Sequence, residues 1–174
     1  MKESETNIIL DIDNTLIVSS ERKLNKNPDF EIKLGEDKFY VYKRHNLNKF
    51  IDYIFRKYKS VSIWTAATKP YCDKILKNIF THDQREKLRF IWTRNKTINK
   101  YGYLYLKDLS KVFKKFRNFN NKNTILLDDN ADHFITSGIN VVYIPPLYKV
   151  DTNDNHLIKS LTYIKKCKVL NHSS

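Results

Sequence analysis

The sequence is poor in glycine, proline and cysteine, and it contains no long apolar run. Three Gly and four Pro in 174 residues leave no segment typical of a flexible linker, so we expect a single domain over residues 1–174. Cys72 and Cys167 lack the spacing of a zinc site or a disulfide framework, which favours a reducing, intracellular compartment, cytoplasmic or nuclear. No segment approaches the roughly 18 apolar residues of a membrane-spanning helix, and residues 1–7 lack the apolar core of a signal peptide. We therefore expect a protein that is neither secreted nor inserted in a membrane.

Acidic residues are scarce relative to basic ones. The chain has 32 Lys and Arg against 19 Asp and Glu, a formal net charge of +13. This excess excludes an acidic solubilising protein and predicts an anionic partner, which at this point is a phosphoprotein, a nucleic acid or a membrane surface. Because 41% of the residues are hydrophobic, the chain is too apolar to be disordered and is long enough for one core.

The hydrophobic pattern predicts strands that alternate with helices. Short apolar runs predict strands, and apolar residues at helical spacing predict helices. The predicted strands are 7–10, 61–64, 89–92, 124–127 and 141–144; the predicted helices are 46–58, one with Pro70 in its first turn, 108–117 and 155–167. Alternating residues also predict a hairpin over 30–43. This order is typical of an α/β fold with a parallel sheet covered on both faces, whose ligands bind beyond the carboxyl ends of the strands.

Acidic and hydroxyl residues follow three of these strands. Residues 11–15 (Asp-Ile-Asp-Asn-Thr) follow the first, Thr65 follows the second, and Asp128 and Asp129 follow the strand at 124–127. Lys107 opens the helix before that strand. Carboxylates gathered at one sheet edge repel one another unless a cation neutralises them, and Mg²⁺ binds carboxylates together with phosphate oxygens. The set therefore predicts phosphoryl transfer, in which an oxygen nucleophile, a metal, a lysine and a hydroxyl act on one phosphate.

These residues resemble the four motifs of the haloacid dehalogenase superfamily of aspartate-nucleophile phosphatases. The motifs are residues 10–16 (Leu-Asp-Ile-Asp-Asn-Thr-Leu), residues 64–67 (Trp-Thr-Ala-Ala), Lys107, and Asp128 with Asp129. The likeness extends to the small phosphatases of the RNA polymerase II C-terminal domain (NIF/FCP-type). It rests on further matches at residues 18–20, 40–44 and 105–110, and at Phe134, Asn140 and Pro145. The resemblance implies a Rossmann-like sheet flanked by helices, with a small hairpin insertion over 18–43 and no large cap.

The resemblance also implies a role for each motif residue. Asp11 would attack phosphorus and become an aspartyl phosphate, and Asp13 would protonate the leaving oxygen and then activate water. Thr65 and Lys107 would hold the phosphoryl group. Thr15 and Arg94 would add to substrate binding.

The metal implied by the resemblance is Mg²⁺. Its ligands would be Asp11, the backbone carbonyl of Asp13, and Asp129, with Asp128 orienting the metal shell. The pattern leaves open whether Asp129 or the neighbouring Asn130 is the ligand.

The spacing of the motifs bears on the substrate. Thr15 and Thr65 are 50 positions apart, and Thr65 and Lys107 are 42 apart. The predicted strands and helices fill both intervals, so neither has room for a closing cap domain. An open site suits a phosphate presented on a macromolecule, because a small metabolite needs enclosure to be held.

The sequence thus predicts a Mg²⁺-dependent phosphatase that acts on phosphoserine or phosphothreonine in a protein. A nucleic-acid 3′-phosphatase is an alternative suggested by the positive charge, and a catalytically silent module that docks phosphoproteins is another, although the presence of Asp13 argues against it. The oligomeric state is left open. Cys72 is predicted to be a core residue. The alternating tyrosines at 101, 103 and 105 are predicted to lie on a strand face rather than to stack on bases.

Overall fold

The chain folds around a central β-sheet. The computed structural model describes residues 4–130 and 140–170, so the motif match at Phe134 lies outside the described residues. In chain order the elements are β1 (Ser4–Leu10), β2 (Ile17–Ser20), β3 (Phe30–Leu34), β4 (Asp37–Lys43), α1 (Leu47–Lys57), β5 (Tyr58–Trp64), α2 (Lys69–Ile79), α3 (His82–Glu86), β6 (Leu88–Trp92), a 3₁₀ turn (Arg94–Lys96), β7 (Ile98–Lys100), β8 (Leu104–Leu106), α4 (Leu109–Lys115), β9 (Thr124–Asp128), β10 (Asn140–Tyr143) and α5 (His156–Leu170).

Five strands form the parallel sheet that the sequence predicts. Their order is β10-β9-β1-β5-β6, and each neighbouring pair runs parallel. β1 lies at the centre, where Ile8 is in register with Val61 on one side and with Ile125 on the other. Along the chain, β5 and β6 are therefore added on one side of β1, and β9 and β10 are then added on the other side.

Helices cover both faces of this sheet, which explains why its strands are almost continuously apolar. Ile8 and Leu10 belong to a core cluster with residues of α1, α2 and α5. Ile9 points to the opposite face and belongs to a second cluster with residues of α4. Burial of each such side chain stabilises the fold by about 1.5–3 kcal/mol.

The helix predictions are confirmed, with ends that differ by a few residues. In α1 the apolar positions predicted from their spacing, such as Phe50 and Ile51, are buried. Pro70 lies in the first turn of α2, where its missing amide hydrogen costs no hydrogen bond. Cys72 is fully buried in the core, as predicted.

A small antiparallel sheet in the order β2-β4-β3 follows the first motif. The hairpin of β3 and β4 confirms the prediction over 30–43, and within the described residues there is no separate cap domain. The sequence reasoning missed β2 because its four residues are too few to show a period. It also missed α3 and the hairpin of β7 and β8.

The prediction for the three tyrosines is wrong in part. Tyr105 lies in β8, but Tyr101 and Tyr103 belong to the turn between β7 and β8 and are exposed. Both Tyr101 and Gly102 have positive φ, of 60° and 80°. The turn therefore breaks the alternation that the sequence suggested.

A buried arginine ties the first-motif loop to the end of the chain. Arg44 is 2% exposed and its Nε lies 2.6 Å from Oδ2 of Asp154, just before α5. The same guanidinium donates to the backbone oxygens of Asn14, Thr15 and Pro145 at 3.2, 3.1 and 2.6 Å. One side chain thus satisfies three carbonyls of two loops and a carboxylate, which fixes these loops to each other.

Candidate active site

The candidate site lies at the carboxyl edge of the sheet, beside β1. The strands that flank β1 are β5 and β9, so β1 is the point at which the strand order reverses. In α/β sheets a crevice forms at the carboxyl edge at such a point. The Asp11 amide donates to the Leu127 carbonyl at 3.0 Å, and the Thr65 amide donates to the Trp92 carbonyl at 2.9 Å. These bonds extend the strand pairing by one residue and hold both side chains at the rim.

The loop after β1 turns back sharply. Asn14 has a φ of 58°, a left-handed conformation that Asn adopts more readily than most residues. The Leu16 amide donates to the Ile12 carbonyl at 2.8 Å, which closes the turn. The turn places Asp11, Asp13 and Thr15 near one another at the sheet edge.

Lys107 is the central cation of this site. It is 1% exposed, and its Nζ lies 2.6 Å from Oδ1 of Asp11 and 2.5 Å from Oδ2 of Asp128. Burial alone would lower the pKa of Lys107, but the two carboxylates raise it above its usual value. Lys107 therefore stays charged although it is buried. Most lysines in proteins are exposed to solvent instead.

Three carboxylates at the site could share a cation. Asp11, Asp128 and Asp129 each offer an oxygen within 4.8 Å of the others. The Thr15 hydroxyl lies between two of them, 3.3 Å from Oδ2 of Asp11 and 3.3 Å from Oδ1 of Asp129. Hard carboxylate oxygens at this spacing fit Mg²⁺.

The raised pKa values of the carboxylates also indicate that the site requires a cation. The pKa of Asp11 is raised to about 8, chiefly by burial; Lys107 opposes the shift, and repulsion by Asp128 and Asp13 adds to it. Burial also raises the pKa of Asp129 above its usual value, and repulsion by Asp128 adds to it. Lys107 alone does not offset this much negative charge, so a divalent cation would keep the carboxylates ionised.

Asp13 belongs to a hydrogen-bond chain that sequence reasoning missed. The Tyr71 hydroxyl donates to Oδ1 of Asp13 at 2.6 Å, and the Ser19 hydroxyl lies 2.6 Å from the same tyrosine oxygen. Burial raises the pKa of Asp13, while the bond from Tyr71 lowers it. Tyr71 is 58 positions from Asp13 in the chain, so only the fold reveals the contact.

An open groove of about 430 Å³ leads to Asp13. Leu34 and Phe39 of the small sheet line one part of it, and Arg94 and Tyr105 line another. Arg94 is held in place because its Nε donates to the Ala66 carbonyl at 2.8 Å and its guanidinium lies 4.7 Å from the centre of the Tyr105 ring. A larger cavity of about 560 Å³ lies between β10 and α5, away from the carboxylates.

The structure brings most of the predicted site residues to one place. Asp11, Asp13, Thr15, Thr65, Lys107, Asp128 and Asp129 lie at the sheet edge. Thr65 is buried, and its hydroxyl accepts from the Ala67 amide at 3.1 Å. Of the two neighbours that the sequence could not separate, Asp129 contributes to the carboxylate cluster, and the Asn130 amide donates to Asp128 at 2.9 Å. Arg94 reaches the groove rather than the carboxylates.

A known protein family matches nearly the whole chain. The model of the NLI interacting factor-like phosphatase family matches residues 6–174. The chain belongs to this family. The predicted recognition and the prediction of a phosphatase are therefore confirmed at the level of the family.

Individual relatives carry related names. The CTD phosphatase-like protein 355R of invertebrate iridescent virus 3 is 28% identical over 170 residues, which cover 87% of this chain and 91% of that protein. The structure of the fission yeast RNA polymerase II CTD phosphatase Fcp1, bound to beryllium fluoride, superposes with a TM-score of 0.60 at 18% identity. That match covers 97% of this chain and 51% of the Fcp1 chain, so this chain spans about half of that protein.

A phosphatase domain from Bacteroides fragilis, in complex with Mg, has the same fold at a TM-score of 0.53 and 14% identity, covering 95% of this chain and 40% of that one. The similarity to these structures confirms the predicted α/β fold of the haloacid dehalogenase type. In the described part of the chain, no helix has the length and apolar character needed to cross a membrane.

Proposed function

We propose that the protein is a Mg²⁺-dependent phosphomonoesterase that forms an aspartyl phosphate on Asp11 and acts on phosphoserine or phosphothreonine in intracellular proteins. The observation that carries this proposal is the environment of Asp11. Asp11 is 6% exposed, and its carboxylate bonds to Lys107 and shares a cluster with Asp128 and Asp129 at the edge of the sheet. A buried carboxylate with a fixed cation beside it is suited to attack a phosphate rather than to stabilise the fold.

Asp11, Asp128, Asp129 and the backbone carbonyl of Asp13 would hold Mg²⁺. When bound, Mg²⁺ supplies positive charge that offsets the carboxylates and the phosphate. Lys107 supplies a second, permanent positive charge at the same place. The Thr15 and Thr65 hydroxyls would orient the phosphate oxygens.

The reaction has two steps. An oxygen of Asp11 attacks phosphorus, the bond from phosphorus to the serine or threonine oxygen breaks, and Asp13 gives its proton to that oxygen. Asp13 then takes a proton from water, the water oxygen attacks phosphorus, and inorganic phosphate leaves Asp11. The raised pKa of Asp13 suits this double role, because the group must both release and accept a proton.

Tyr71 is proposed as a positioning residue for Asp13. Its hydroxyl has one proton, which it donates to Asp13, so Ser19 must be the donor in the second bond. Burial and the Asp13 charge raise the pKa of Tyr71, so the phenol stays protonated throughout turnover. The pair Ser19 and Tyr71 thus holds the Asp13 carboxyl at the mouth of the groove.

The shape of the groove supports a protein substrate. It is open to solvent, and its wall on the side of the small sheet carries Leu34 and Phe39, which offer apolar contacts to a peptide. Arg94 also lines the groove and is a donor suited to a peptide carbonyl or a phosphate oxygen.

The test is the Asp11→Asn variant, assayed on p-nitrophenyl phosphate and on a phosphoserine peptide with Mg²⁺. We expect the variant to lose turnover by a factor of about 10³ or more, because Asn is not a nucleophile, while circular dichroism shows an intact fold. The wild-type protein should lose activity in a chelator and regain it with Mg²⁺.

Asp73→Asn, at an exposed carboxylate in α2, is the control and should leave turnover unchanged. Full activity of Asp11→Asn would refute the nucleophile. Absence of hydrolysis in the wild-type protein would favour the silent docking module instead.

A further inference from the structure

The positive charge of the chain is concentrated in one segment. Residues 87–127 contain eleven Lys or Arg and a single acidic residue, Asp108, so they hold +10 of the total +13. The other 133 residues are close to neutral. The Asp108 side chain accepts a hydrogen bond from the Ser110 amide and caps the N-terminus of α4. Lys107 is the one buried cation of the eleven and belongs to the candidate active site.

The fold brings the segments that carry several of these cations together around α4. The Lys111 side chain in α4 donates to the Lys96 carbonyl at 3.3 Å, which joins α4 to the 3₁₀ turn. Arg89 of β6 lies 5.7 Å from the ring of Phe116, just after α4. We name this surface the basic face and define it by its exposed cations: Arg89, Arg94, Lys96, Lys100, Lys114, Lys115 and Arg117.

Two exposed aromatic rings stand at one end of the basic face. Tyr101 is 70% exposed and Tyr103 is 76% exposed, and their ring centres are 6.2 Å apart. The Lys100 ammonium lies 5.0 Å from the ring of Tyr101. A bulky residue with positive φ, such as Tyr101, is uncommon, and at this turn it holds the ring in solvent.

We infer that the basic face binds single-stranded nucleic acid, with its cations on the backbone phosphates and with Tyr101 and Tyr103 stacked on bases. A groove of Lys and Arg beside exposed aromatic rings is how sequence-tolerant single-strand binding is built. Duplex DNA covers the faces of its bases, and an acidic peptide without aromatic residues has no ring to stack. Both would use the cations and leave the rings without a role.

The experiment measures binding of a fluorescein-labelled oligothymidylate of about 20 nucleotides, longer than the roughly 4–16 that a small domain covers. Fluorescence anisotropy of the full chain is recorded from about 50 to 200 mM salt. We expect affinity to fall steeply with salt, and the Tyr101→Ala and Tyr103→Ala variants each to bind roughly fivefold or more weakly.

A matched pair of triple variants tests the location. Lys114→Gln with Lys115→Gln and Arg117→Gln removes three charges from the basic face, and should lower the slope of log affinity against log salt by about 2. Lys49→Gln with Lys74→Gln and Lys77→Gln removes three exposed charges from α1 and α2, on the other side of the sheet, and should change the slope much less. Turnover of p-nitrophenyl phosphate should be the same in all these variants, so binding is read separately from catalysis.

Three results would overturn the inference. One is equal loss of affinity in both triple variants, which indicates attraction by net charge alone. Another is unchanged affinity in both tyrosine variants. The third is binding of a duplex, of polyglutamate or of an acidic phosphopeptide as tightly as the oligothymidylate, which assigns the basic face to a different partner.

Discussion

At the scale of single residues, the site depends on side chains whose surroundings change what they do. Lys107 would be a solvated cation in most contexts, but here it is buried between Asp11 and Asp128. Tyr71 would be an ordinary core residue of α2, but its hydroxyl reaches Asp13. The local sequence predicts neither environment, because each depends on contacts between distant segments.

The Tyr71→Phe variant tests the positioning role. It removes the bond to Asp13 and should lower kcat on phenyl phosphate about tenfold, with a smaller effect on p-nitrophenyl phosphate. The reason is that a poor leaving group needs the Asp13 proton most. KM should change little, and Ser19→Ala should act in the same direction but more weakly. The measurement is kcat/KM over a series of aryl phosphates with different leaving-group pKa values, because kcat/KM reports the first step and not the hydrolysis of the aspartyl phosphate that all substrates share.

Tyr105→Phe is the control, since it removes another hydroxyl from the groove but not the bond to Asp13. A uniform loss of kcat/KM over the whole series of aryl phosphates in Tyr71→Phe would show that Tyr71 does not assist proton transfer to the leaving group.

At the scale of elements, the sequence predicted the core strands and the longer helices and missed the short strands. The five core strands contain apolar runs, and the helices α1, α2, α4 and α5 extend over enough residues for helical spacing to appear. β2 has four residues and β7 and β8 have three each, too few for periodicity to act as a signal. The position of the candidate site residues at the sheet edge was predictable because they follow strands, whereas the contacts of Ser19, Tyr71 and Arg44 arise only when elements pack together.

The ion pair of Arg44 and Asp154 should stabilise the fold. Asp154 is 5% exposed; burial alone would raise its pKa, but the His156 amide and Arg44 hold it below its ordinary value of 3.8. The carboxylate therefore contributes stability above pH 3.8, and this contribution is lost as pH falls through the lower folded pKa. We expect Asp154→Asn to lower the free energy of unfolding by about 3–5 kcal/mol at pH 7, because it leaves Arg44 buried without a counter-charge.

Urea unfolding at pH 7 and at lower pH measures this effect. Asp73→Asn, which breaks the exposed pair of Asp73 with Lys69, is the control and should cost about 0–1 kcal/mol. The difference between Asp154→Asn and the wild-type protein should shrink as the pH is lowered below 3.8. An equal effect of the two variants at pH 7 would show that the buried pair adds nothing beyond a surface one.

At the scale of the whole molecule, the choice between two substrate classes is open to a direct measurement. The groove carries both apolar residues, Leu34 and Phe39, and the cation of Arg94. We expect a phosphoserine peptide to be hydrolysed with a higher kcat/KM than a 3′-phosphorylated oligonucleotide at physiological salt, since the apolar wall favours peptide side chains. Phosphate release from both substrates is measured at several salt concentrations. Faster release from the oligonucleotide, declining steeply with salt, would instead support the nucleic-acid 3′-phosphatase.

The link from Arg44 to Asp154 also bears on how the protein is made. Asp154 follows its partner by 110 positions, and the central strand β1 pairs with β9 from late in the chain. On the ribosome, the loop that bears Asp11 would therefore emerge long before the segments that brace it. The nascent polypeptide would stay inert until α5 has been synthesised, so a truncated translation product that ends before α5 should carry the nucleophile without its support.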